Sequence, residues 1–152
     1  MFSSLVLIHA GFGLLVILAG VWLFQEALHV NPSNMERIRT ASLFVAACMW
    51  LTFVVAGYWY VNYYAPDKAL ILKGPWPFAH DFFMETKEHV VLMLLLLATF
   101  LPIVARNNLV ENVGARKIFL DVAGLIVLIG IAMEGSGGII SMGVKLAATV
   151  PK

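Results

Sequence analysis

Charge is scarce in this chain. Of its 152 residues only 12% are Asp, Glu, Lys or Arg, about half of the roughly 25% usual in a soluble domain, and 61% are hydrophobic. With a mean hydropathy of +0.90 the chain lacks the polar surface to face water on all sides, which excludes an ordinary soluble domain. Cysteine is almost absent: Cys48 stands alone inside an apolar run, so an internal disulfide is excluded. No C-x-x-C-H motif occurs, so any haem would be non-covalent and b-type. The net charge of +1 gives no footing for nucleic acid. There is no internal repeat, low-complexity segment or second domain.

What the chain has instead is four long apolar runs, expected to span a membrane over about residues 3–29, 39–64, 82–105 and 117–141. Residues 2–24 carry His9 as their only ionisable group and would extend roughly 35 Å as a helix, enough for a hydrocarbon core of about 30 Å. A cleaved signal peptide would need a basic stretch before this run and a small-residue site after it; neither is present, so it is expected to remain as a span. Ser33 or Asn34 is a suitable N-cap for the second helix, whose end is marked by Tyr58, Trp59, Tyr60, Tyr63 and Tyr64, an interfacial aromatic belt. Residues 65–79 hold Pro66, Gly74, Pro75 and Pro77 and are expected to be the longest loop. Asp81 is a candidate N-cap of the third helix.

Four spans with short loops predict an all-α, integral membrane four-helix bundle of up-down-up-down order, in a single domain embedded in a lipid bilayer. Both termini and the 65–88 segment then share side A. The other two loops lie on side B with all four arginines, Arg37, Arg39, Arg106 and Arg116, and with Lys117. Side A holds Lys68, Lys73, Lys87, Lys145 and Lys152, so the raw count is five against five. Side B concentrates its charges in short loops beside the spans. This favours side B as cytoplasmic, in a bacterial inner membrane with both termini outside the cytoplasm.

Counting residues along each span brings several ionisable groups to one level. His9 is about one turn inside the first span, and His89 stands at the side-A end of the third. Glu134 lies roughly 24 Å along the fourth span from side B, and Ala56 and Gly57 reach the same level on the second. In an up-down bundle the first and third helices are diagonal. His9 and His89 are therefore expected as the two axial ligands of a b-type haem, with Gly13 and Gly57 giving the ring room. A second set, His9, His89, His80 and Glu85, could hold non-haem iron, zinc or copper instead, with His80 the reserve ligand. The plainer alternative leaves His9 hydrogen-bonded to a backbone carbonyl or to Glu134, and His89 wet at a helix end. His29 is read as an interfacial residue able to pair with Glu26 one turn away.

A histidine early in the first span and another at the start of the third give the chain an architecture that resembles small four-helix membrane proteins that bind b-type haem. The function expected is a haem b protein or subunit passing electrons between a quinol and a partner on the non-cytoplasmic side. In it Glu134 takes the quinol proton, and the aromatic cluster with Trp76 lines a quinone cleft. The partner would be another membrane or periplasmic subunit. The alternatives are a non-catalytic membrane anchor of a larger complex and a protein with a His/carboxylate metal site.

Overall fold

The structure is a computed structural model, and it describes residues 4–149. Residue 3, the expected start of the first span, and Lys152, counted on side A, lie outside the described residues. Four helices carry the chain: α1, Ser4–Leu28; α2, Met35–Lys73; α3, Glu85–Val104, entered through a π-helical turn at Ala79–Met84; and α4, Val113–Thr149. Each is long and apolar enough to cross a membrane. Large apolar side chains cover the outside of the bundle, among them Leu7, Leu96 and Leu128, each more than 60% exposed. Such surface is stable only against lipid, and the chain is an all-α integral membrane bundle.

The packing order follows the chain. α1 packs on α2 and α4, α3 packs on the same two, and α1 and α3 stand diagonally across the bundle. The main core lies between these helices and includes Val16, Leu23, Ile38, Val45, Leu101, Phe119 and Ile126. Lipid tails are as apolar as these side chains, so close packing rather than hydrophobic burial must hold the helices together. The α1–α4 seam shows how: a Cβ at Gly20 would come within 2.9 Å of Val127 Cγ2, and one at Gly130 within 2.9 Å of Ile17 Cγ1. Each glycine receives a branched side chain from the opposite helix.

Side B is closed by short polar turns. Asn34 stands at the N-cap of α2, but its side chain points backwards: Oδ1 accepts from Asn31 N at 2.8 Å, and Nδ2 donates to Glu26 Oε2 at 2.8 Å. Arg37 completes the cluster at 3.3 Å from Glu26. Asn112 Oδ1 accepts from Ala115 N at 2.9 Å, so α4 starts at Val113, ahead of the expected residue 117.

The largest departure from the sequence reading is on side A, where most of the expected 65–79 loop is helical. α2 runs through Pro66 to Lys73 and the connection shrinks to residues 74–78. Proline in a helix interior removes one backbone hydrogen bond and crowds the preceding turn, at a cost of about 3 kcal/mol. Burial offsets this. Tyr64 and Ile71, two turns apart on one face, pack with Ala79, Met84 and Ile140 into a second small core. α4 supplies the opposite wall and is correspondingly long. At 39 and 37 residues, α2 and α4 extend roughly 58 and 56 Å, well past a hydrocarbon core of about 30 Å. Asp81 is not a helix cap: it lies within the π-helical turn, and the N-cap of α3 is Met84.

Candidate functional site

A cleft of about 290 Å³ lies between the helices near the side-A end of the bundle, beside the first described turns of α1. It draws walls from every helix: Leu5, Val6 and His9 of α1; Phe53, Ala56, Gly57, Trp59, Tyr60 and Val61 of α2; Met84 of the π-helical turn; Lys87, Glu88 and Val91 of α3; and Met133, Gly137, Ile140 and Ser141 of α4. The lining is mostly apolar, and small residues keep it open. A Cβ at Gly57 would meet nothing within 4 Å.

Polar groups gather at one part of the lining. His9 Nδ1 lies 3.2 Å from Thr52 O, an interhelical hydrogen bond that fixes the ring and leaves Nε2 without a protein partner among the described residues. Lys87 Nζ donates to Met133 O at 2.7 Å. The Glu134 carboxylate lies over Gly13, so a side chain there would have to displace it, and its charge acts on Lys87. The Tyr60 hydroxyl meets the Glu88 carboxylate. Among the described residues two buried oxygens have no hydrogen-bond partner, Thr52 Oγ1 and Glu88 Oε1. An unpaired buried polar atom costs about 1–3 kcal/mol, so each marks a place where a further donor would be favourable.

His9 and Gly57 share the cleft, with Gly13 one turn below His9 under Glu134. Glu134 faces the bundle behind Lys87 and is not part of the lining, whereas Glu88 is. The structure does not bring His89 to His9. Lys87, Glu88, Val91 and Met84 face the cleft, and at about 100° per residue His89 points to the opposite side of α3. It is exposed, and its Nδ1 lies 2.7 Å from Glu85 O on its own helix. His80 is buried in the second core: Nδ1 is 3.0 Å from the Tyr64 hydroxyl, and Nε2 is 3.5 Å from Glu85 Oε1. Of the proposed metal set, then, only His80 and Glu85 meet, and among the described residues no group of three or more His, Cys, Asp or Glu could hold a metal ion. His29 bonds to Gln25 O at 3.2 Å rather than to Glu26, which Asn34 and Arg37 occupy.

Fold and cleft together define a four-helix integral membrane protein with a lateral cleft near one end of the bundle. No protein-family profile, curated protein or solved structure matches the chain.

Proposed function

We propose that the chain is the quinol-binding membrane subunit of an electron-transfer complex. The reading holds that side B faces the cytoplasm of a bacterial inner membrane and that the electron acceptor is a subunit on side A. A reporter fused after Asn34 should then report the cytoplasm. The observation that carries the reading is the cleft: an apolar cavity between membrane helices, with imidazole, ammonium, phenol and carboxylate groups on its walls. A quinol matches that combination, having a flat apolar ring with two polar oxygens on opposite edges and partitioning into lipid. His9 Nε2 and the Lys87 ammonium are the groups suited to hold a ring oxygen. Glu88, with one unpartnered oxygen, is suited to take the hydroxyl proton that quinol oxidation releases. Glu134 then acts indirectly, as the counter-charge that keeps Lys87 in place.

One observation favours a second reading, in which His9 is an axial ligand of a b-type haem. A ligating histidine usually gives its other ring nitrogen to a carbonyl, as His9 does to Thr52. His89 is not placed to supply the second axial bond from within the same chain. A reduced-minus-oxidised spectrum of the purified protein separates the readings, since only haem gives a b-type α-band.

Trp59 lines the cleft and provides the test. Titrating a short-chain quinone into the detergent-solubilised protein should quench part of the tryptophan fluorescence to saturation, a part that Trp59→Phe removes, and Gly57→Leu, which fills open space, should abolish the saturable quenching. Quenching that rises without saturation, equally in wild type and variant, would contradict the proposal and leave a non-catalytic anchor in front.

A further inference from the structure

The second core contains a group that the cleft does not use. Tyr64 and His80 are each 2% exposed and share a 3.0 Å hydrogen bond between the phenol and Nδ1. The other imidazole nitrogen faces Glu85, whose side chain is 46% exposed. With Nδ1 accepting from the phenol, Nε2 carries the ring proton and points it at the carboxylate. Tyr64 is also the centre of an aromatic cluster: its ring lies 5.1 Å from Tyr60, stacked, 5.3 Å from Trp59 and 5.8 Å from His80. Trp59 and Tyr60 line the cleft. One unbroken series of rings therefore leads from the cleft to Tyr64 and on to a base that opens toward side A.

We propose that Tyr64 is a redox-active tyrosine, with His80 as its proton acceptor. A phenol that loses an electron becomes a very strong acid, so oxidation is easy only where the proton has somewhere to go at once. Here one electron leaves Tyr64 for a high-potential one-electron metal oxidant. The phenolic proton crosses to His80 Nδ1, and the imidazolium so formed is stabilised by Glu85. The product is a neutral tyrosyl radical. Return of one electron brings the proton back to the phenolate oxygen and restores the starting state, with no other bond made or broken. The other tyrosines lack this arrangement. Tyr58 and Tyr63 are exposed and pack on each other at 6.1 Å, and Tyr60 meets the Glu88 carboxylate. Refilling Tyr64 from the cleft would rest on the quinol reading; its oxidation does not.

The test uses the full chain in detergent without any quinone, so its failure is distinct from failure of the quinol reading. Flash photolysis with ruthenium tris-bipyridyl and persulfate supplies the one-electron metal oxidant, and freeze-trapped samples are read by electron paramagnetic resonance. The wild type should give a neutral tyrosyl signal that Tyr64→Phe removes and Tyr60→Phe keeps. His80→Gln preserves a hydrogen-bond acceptor but not a base. It should slow formation of the radical by roughly a hundredfold, the low end of what a positioned base contributes. A measurement that needs no variant guards against misfolding: with isotopically labelled histidine, the wild-type radical should show coupling to an imidazole nitrogen. A full signal in Tyr64→Phe, a wild-type rate in His80→Gln, or no histidine coupling would each overturn the proposal.

Discussion

At the scale of single residues, Lys87 is a charged group set among apolar helices with two polar neighbours on α4. Its ammonium donates to Met133 O at 2.7 Å and feels the charge of the Glu134 carboxylate, which lies over Gly13. Removing one charge leaves the other buried without its partner, whereas removing both does not. Lys87→Met and Glu134→Gln should therefore each lower stability in detergent unfolding by about 1–3 kcal/mol, with the double variant losing clearly less than the sum. Strict additivity would show that the two do not act on each other. The level of this cluster is legible in the sequence, because residue counts from the polar loops fix depth along a helix. Its direction is not. His89 stands at the expected depth but on the lipid side of α3, and with every face of these helices apolar no hydrophobic stripe marks which way a residue turns. Five large apolar side chains of α3 alone, Leu92, Met93, Leu96, Phe100 and Ile103, are exposed.

At the scale of elements, the second core decides how side A is built. The sequence marks this region with Pro66 and a run of turn formers, and those signals suggest a loop. The opposing signal is quieter: Tyr60, Tyr64 and Ile71 recur at helical spacing, and Ala79 sits in a notch that Gly143 leaves open. A Cβ at Gly143 would come within 2.8 Å of Ala79 Cβ, so Gly143→Leu would overpack this core at a cost of typically about 1–3 kcal/mol. Hydrogen exchange should then rise over residues 64–84 and 139–149 and stay unchanged around Leu101 and Phe119 in the membrane core. Exchange rising equally in both regions would mean that the two cores unfold as one. The π-helical turn belongs to the same design. It packs one extra residue into a helix turn, and His80 and Met84 both reach the second core from it.

At the scale of the whole molecule, composition alone carries the class. Scarce charge and four long apolar runs leave a membrane bundle as the stable arrangement, and the structure has that fold. The cleft rests on features that composition does not show: small residues, Ala56, Gly57 and Gly137, meet on the faces that α2 and α4 turn toward His9. Together they open a cavity toward lipid at the level of His9. The measurement that tests the central claim most directly is photolabelling of the membrane-embedded protein with an azidoquinone, read by peptide mass spectrometry. Saturable label is expected within residues 53–61 and 133–141, competed by excess unlabelled quinone and lost in Gly57→Leu. Label spread over the lipid-facing surface, including Leu96 and Leu128, with no saturation and no response to Gly57→Leu, would contradict a quinol site in this cleft.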